Sequence, residues 1–435
     1  MTRESSFDST DPASQGLSAA RRFHLCYCTN IFPGESYQDL LTNLREHVAD
    51  VLVCTREVYL PPTTDSAGQT EPLAAVPLGL RISNQASLEM EREGLAELQD
   101  FCKQHRCYIA SINGFPFGTF HNDRVKAAVY DPDWRQRSRV SYTLRLIDLA
   151  ARMHSEINRE VLSAQKASLP AISISTSPIG YKEHFALAAD SQDWQRALAH
   201  LREAADHCLL VNARHQCRVE IALEPEPACV IETLEEVRKL FAALALTSEQ
   251  QAVLGICLDC CHQAVQFESP EDWLQLFKSE NIRLSKVQIS SAIRAEGKDG
   301  LKLLAFDEPV YLHQCVLRSG NSLFRINDIP QLQLFSERFL FEETRCHFHV
   351  PIFAEKIAAP DGSLLSTTQT FMENFLKALA KTELAPCCEV ETYSFTALPD
   401  SVKLESISEN MERELRYANR LLDWQNERSE GKLPA

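Results

Sequence analysis

The stretch VEIALEPEP, Val219 to Pro227, decides how the rest of the chain is read. Val219, Ile221 and Leu223 are apolar, while Glu220, Ala222, Glu224 and Glu226 are acidic or small. A period of two with one apolar face is the pattern of a β-strand covered on one side, here with carboxylates on the other. Carboxylates at the end of a covered strand are costly to desolvate, so this face implies a cation, a basic partner or open water. LGICLDCCH, Leu254 to His262, repeats the arrangement: Cys257, Asp259 and Cys261 share one face, Ile256 and Leu258 the other. Two strands therefore direct acids the same way.

Working outward, HLCYCTN, PLGLRIS, CYIASIN, AISISTSPIG and RLSKVQIS give further short strands, the fourth with Ser173, Ser175 and Ser177 on one face. Between them lie amphipathic helical stretches such as YQDLLTNLREHVADVL, RVSYTLRLIDLAARMHSEI and QDWQRALAHLREAADHCLLVNARH. Seven strand-helix units in succession predict an α/β protein, a closed (β/α)8 TIM barrel. Strands of an open doubly wound sheet are apolar on both faces, whereas these are polar or small on one, as a barrel with a polar lumen requires. After Ser290, EPVYLHQCVLRSGNSLFRIND predicts a β-hairpin with SGN as its turn, an excursion after the seventh strand at about 305–340. RCHFHVPIF and CEVETYSF add two more strands, so nine candidates compete for eight places, and one of RLSKVQIS, RCHFHVPIF and CEVETYSF must lie outside the barrel. The domain reading is a polar tail at 1–20, one barrel domain at 21–425 and a polar tail at 426–435.

Composition excludes several function classes. With 435 residues and 44% apolar residues the chain can bury a large core, yet no apolar run approaches the ~18 residues of a membrane span. The first residues lack a cationic region followed by an apolar one, so a cytoplasmic protein is expected, without membrane insertion. A net charge of −16 opposes nucleic-acid binding. The 15 cysteines, odd in number and set in apolar strands, predict buried reduced thiols.

Barrel sites form at the C-terminal strand ends. Glu224, Asp259 and Glu391 offer hard oxygen donors there, and His262, His347 and His349 offer imidazole nitrogen. That mixture suits one divalent ion, Mn, Co, Zn or Mg, in an open site. EPEP also suits a helix-capping loop, H-x-H suits packing at the mouth, and D-x-x-H suits a local hydrogen bond. Cys257-x-x-Cys260 suggests a zinc knuckle, but strand positions three apart point to opposite faces.

Taken together, HLCYCTN, INGFPFGTFH, VYDPDW, SISTSPIG, ALEPEP, CLDCCHQAV, KVQISSA, HFHVPIF and EVETYSF resemble the EboE family of metabolite traffic proteins, within the xylose-isomerase-like barrels. Sugar epimerases belong to the same barrels, and the resemblance implies their ligand series of Glu, Asp, His and Glu. By position it makes Glu224 the first ligand, Asp259 the second and Glu391, or Glu389 on the same face, the fourth. The third should be His, where KVQIS offers Gln288; His347 or His349 supplies the imidazole if HFHVPIF is the seventh strand. The resemblance implies that Glu224 and Glu391 exchange the substrate proton, and that His262, Asn113, Arg81 and Lys286 position a small hydroxylated metabolite. The activity implied is a metal-dependent isomerase or epimerase. The alternative is a non-catalytic metabolite-binding or trafficking protein, with partner proteins of a metabolite-export system. Gln288, the aromatic residues Phe115, Phe117, Phe120 and Trp134, and the hairpin from Tyr311 to Ile326 favour that alternative.

Overall fold

Seven parallel strands open the computed structural model, which describes residues 23–59, 75–118, 125–163, 169–188, 190–334, 341–359, 361–398 and 406–422. They are β1 (His24–Tyr27), β2 (Val76–Arg81), β3 (Cys107–Asn113), β4 (Ile172–Thr176), β5 (Val219–Leu223), β6 (Leu254–Asp259) and β7 (Leu284–Ile289). Six antiparallel strands follow: β8 (Ile293–Glu296), β9 (Cys315–Ser319), β10 (Ser322–Ile326), β11 (Glu343–Cys346), β12 (Lys356–Ala358) and β13 (Leu364–Thr367). Then β14 (Cys387–Val390) returns to the first sheet. The polar tails, the PPTTDSAGQTEP loop and Phe120 lie outside the described residues.

The parallel sheet runs β1-β14-β7-β6-β5-β4-β3-β2, and a bridge between Cys28 and Gly79 brings its two ends together. This is a (β/α)8 barrel. Outward-facing Ile221, Leu223, Leu258, Val287 and Val390 are buried in one continuous core against the helices. Helix starts are written locally: Thr233 and Glu236 form a capping box at Leu234–Leu244, and Ser269 caps Pro270–Ser279 with proline in its first turn. Among the described residues no helix is long and apolar enough to cross a membrane. Fourteen cysteines among the described residues are buried, and none of these forms a disulfide.

Of the three late candidates, RLSKVQIS and CEVETYSF enter the barrel and RCHFHVPIF does not. Its first part is β11, paired with β8 and β9 in a second sheet, and His347 to Val350 continue as coil. The SGN hairpin is present as β9 and β10. The excursion is wider than 305–340, however, because β8 and β13 flank the hairpin within one six-stranded sheet. Turn residues mark a hairpin locally, whereas pairing between distant segments leaves no such mark.

Candidate metal centre at the barrel mouth

Three strand ends converge at the C-terminal mouth. Glu224 follows β5, Asp259 ends β6 and Glu391 follows β14, and one carboxylate oxygen from each lies within 4.8 Å of the other two. Asp259 also caps the short helix Cys260–Val265: its Oδ1 accepts the His262 N–H at 3.0 Å and the Ser290 hydroxyl at 2.7 Å. Its Oδ2 is buried without a hydrogen-bond partner, as is Glu224 Oε2. Glu391 is oriented by two amides, with Oε1 accepting from Asn30 Nδ2 at 2.6 Å and from Asn113 Nδ2 at 3.0 Å.

His349 reaches this cluster from outside the barrel. The Val350 N–H donates to Ser291 O at 2.9 Å, just beyond β7, and pins the coil there. His349 Nδ1 donates to the Glu391 backbone carbonyl at 2.7 Å. A carbonyl only accepts, so Nδ1 carries the proton and Nε2 carries a lone pair. That Nε2 is buried and unpartnered, 3.9 Å from Asp259 Oδ2. A ring-nitrogen lone pair beside a carboxylate oxygen, both out of water, is unfavourable unless a cation lies with them.

Electrostatics agree. Burial, then the Asp259 charge, pushes the Glu224 carboxyl well above its usual range. Burial, then Glu224 and Asp259, does the same to Glu391. Burial works against ionised Asp259 too, but its surroundings hold its carboxyl below the usual range, the capping bonds from the His262 N–H and the Ser290 hydroxyl among them. Acids that raise one another in this way are relieved by a cation.

The remaining sequence candidates separate into those at the mouth and those elsewhere. His262, His347 and Asn113 line a cleft with a cavity volume of about 60 Å³, together with Glu224, Glu226 and Glu391. One water needs roughly 10–15 Å³ on this measure, so the cleft takes a few waters or the polar end of a small metabolite. Phe115, Tyr130, Tyr311 and Tyr393 form its walls. Phe115 is held there by buried Arg139, which donates to the carbonyls of Gly114 and Phe115 at 3.1 and 3.0 Å.

Lys286, Gln288 and Arg81 are not among the residues lining the cleft. Fully buried Lys286 pairs with Glu389 at 2.6 Å and donates to Ser175 Oγ at 3.2 Å. With its amide turned to satisfy both neighbours, Gln288 donates to Glu389 at 3.1 Å and accepts from Lys286 at 3.3 Å. Glu389 is thus spent on a buried ion pair. Arg81 instead ties the loops above β1 and β3, donating to Gly34 O at 2.6 Å, Gly118 O at 2.7 Å and Glu35 at 2.9 Å. Arg81 and Lys286, expected to position a substrate, each have close anionic or carbonyl partners instead.

Residues 74–314 match the family model described as xylose isomerase-like TIM barrel, which is more than half of the chain. The chain belongs to the xylose isomerase-like TIM barrel family. Solved structures similar to this family member include L-ribulose 3-epimerase, at 9% identity and TM-score 0.47 over 94% of this chain and 97% of that one. A xylose isomerase-like TIM barrel protein from Mycobacterium smegmatis in complex with magnesium is 11% identical, with TM-score 0.45 over 92% and 98%. The IOLI protein with a binding zinc atom is 9% identical, with TM-score 0.41 over 92% and 99%. These are weak likenesses of backbone course and say nothing of the reaction. No curated protein matches the chain in sequence.

Glu226, Asn30 and Tyr130 also line the cleft, and the sequence did not single them out as site residues. Glu226 was within reach, since EPEP places it two positions beyond Glu224. Nothing local to Asn30 or Tyr130 signals their roles, because each acts on a partner far away in sequence, Asn30 on Glu391 and Tyr130 on Glu226.

Proposed function

We propose that this protein binds a divalent cation through Glu224, Asp259, His349 and Glu391 and moves a proton on a small hydroxylated carbonyl metabolite, as an isomerase or epimerase does. The observation that carries the reading is the trio of buried atoms without hydrogen-bond partners, Glu224 Oε2, Asp259 Oδ2 and His349 Nε2. These three converge on one point of the mouth, and a shared cation would satisfy all of them. Three carboxylates and one imidazole suit Mn²⁺, Co²⁺, Zn²⁺ or Mg²⁺. When bound, such an ion polarises adjacent substrate oxygens.

The chain's own residues supply the proton transfer. Glu224 and Glu391 stand on strands separated by β6 and β7, so a substrate between them meets a carboxyl on either side. One carboxylate takes the proton from the carbon beside the carbonyl, and the other carboxyl returns one to the opposite face. Asn30 and Asn113 fix the plane of the Glu391 carboxylate, and the aromatic walls restrict water around the reacting carbon.

The test is incubation of ketoses and hydroxyketones with the metal-loaded protein in deuterated water. Exchange at the α-carbon is expected, and Glu224→Gln should lower it by about 10²-fold or more. Metal content should fall in a Glu224→Gln, Asp259→Asn double variant. Full metal content with no exchange across the panel would favour the second reading, an EboE-like metabolite carrier whose aromatic cleft binds without turnover. Equal metal in both proteins would remove the cation.

A further inference from the structure

A cavity of about 60 Å³ encloses only the head of a metabolite, so the rim of the cleft decides what the rest of that molecule can be. The rim is apolar. Phe115, Tyr130, Tyr181 and Cys229 form one cluster and Tyr311 and Tyr393 a second, both separate from the core between barrel and helices. Val129 packs against both clusters, which joins them into one wall, and Leu312 extends it. Apolar side chains gathered at an opening, with a few polar groups converging below them, are the usual lining of a small-molecule site.

This wall is fixed by contacts of its own. The Val125 and Lys126 N–H groups both donate to the Val310 carbonyl, at 3.1 and 2.9 Å, and so tie the segment before Tyr130 to the insertion. The Tyr130 hydroxyl donates to Glu226 Oε1 at 2.7 Å, and its ring stacks on Tyr181 with centroids 5.3 Å apart. Tyr311 meets Tyr393 edge-on at 5.2 Å. An apolar surface held in place this way costs little ordering when a ligand covers it. The charges of the cleft point the same way. Glu224, Glu226 and Glu391 all line it, and Lys126 is the one lysine or arginine among its described lining residues. The Lys126 ammonium is neutralised by Asp328 at 2.8 Å and donates to the Glu308 carbonyl at 3.0 Å. It therefore gives no free anchor to a phosphate or carboxylate, which the acids of the cleft would repel.

We propose that the cleft takes an uncharged hydroxycarbonyl compound bearing an apolar substituent, alkyl or aryl, and excludes phosphorylated and carboxylated metabolites. The hydroxycarbonyl head sits at Glu224 and Glu391, and the substituent lies along the wall of Val129, Leu312 and Tyr311. The ion pair of Lys126 with Asp328 sets the exclusion, because it withholds the cation that an anionic tail would need. The inference rests on the reading of this cleft as the site of a hydroxycarbonyl metabolite and names the class of that metabolite.

The test uses probes that share a hydroxymethyl ketone head and differ in the tail: hydroxyacetone, phenethyl hydroxymethyl ketone and dihydroxyacetone phosphate. Titration calorimetry on the full, metal-loaded chain reads their affinities, and α-carbon exchange in deuterated water is followed on the same samples. The phenethyl compound should bind roughly tenfold or more tighter than hydroxyacetone, as burial of a ring-sized apolar group requires. Dihydroxyacetone phosphate should bind more weakly than hydroxyacetone. Val129→Asn should shrink the phenethyl advantage, and Asp328→Asn, which frees the Lys126 ammonium, should improve dihydroxyacetone phosphate relative to hydroxyacetone. Both are ratios within one protein, so a loss of folded material leaves them intact. Tightest binding of dihydroxyacetone phosphate, no gain from the phenethyl group, or no binding by any of the probes would overturn the proposal. A phenethyl gain without exchange would uphold it while removing the isomerase reading, and exchange of hydroxyacetone without that gain would do the reverse.

Discussion

Removing the imidazole of His349 separates two sources for the third ligand of the proposed cation. His349→Ala should weaken metal binding at that position by at least about 10–100-fold, the loss that even an outer partner of a ligand causes. Gln288→Leu should leave metal affinity unchanged. It should instead lower stability by about 1–3 kcal/mol, because Glu389 and Lys286 lose a buried hydrogen-bond partner. Competition with a chromophoric chelator reads the first quantity and urea denaturation the second; weakened metal binding in Gln288→Leu would return the ligand to β7. The facing of Glu224 and Asp259 was legible because strand alternation fixes it within a few residues. His349 was not, because it lies in coil and is placed by Ser291 and by the Glu391 backbone rather than by any pattern of its own. The partners of Arg81 and Lys286 were hidden for a related reason: a sequence shows a cation on a polar face but not the carbonyls or acid that already occupy it.

The last helix, Ile407–Leu422, illustrates how an element far from the mouth is tied to it. Its Glu414 is fully buried and accepts from the Tyr27 hydroxyl and Asn410 Nδ2 at one oxygen, and from Thr392 and the Ile352 N–H at the other. Burial nevertheless outweighs these donors and lifts the carboxyl to about 7. The folded state thus holds this proton more tightly than the unfolded chain does. The stability it contributes is complete below the ordinary carboxyl value and is lost as pH rises through about 7, a change on the order of 3 kcal/mol. Glu414→Gln should flatten that part of the stability profile between pH 5 and 8 in urea titrations; an unchanged slope would mean that other groups set it. The strand–helix alternation of the barrel was readable because each element is encoded by its own period and caps. The insertion was only partly readable. β9 and β10 announce themselves through SGN, while β8, β11 and β13 are strands only because they find one another.

At the scale of the molecule, the barrel closes over an interior with little room to spare. A β-carbon added at Gly79 would lie 1.9 Å from Glu389 Oε1 and 2.9 Å from the Tyr27 carbonyl, at the seam where β1 meets β2. Gly79→Ala should therefore cost about 1–3 kcal/mol and lower Tm in a thermal melt, since Glu389 cannot move without leaving Lys286. A neutral effect would show that the seam can open. The closing strand is also the last to be made. β14 pairs Glu389 with Cys26 of β1 on one side and with Gln288 of β7 on the other, and it follows the entire six-stranded insertion. A chain emerging from the ribosome displays Glu224 and Asp259 long before His349 and Glu391 exist to meet them. Until Cys387 to Val390 are synthesised, β1 and β7 present open edges and Lys286 lacks its counter-ion, so the growing chain is a half-finished sheet exposed to self-association. A cation held by those four residues would therefore be loaded only by the completed polypeptide, after its last strand has closed the sheet.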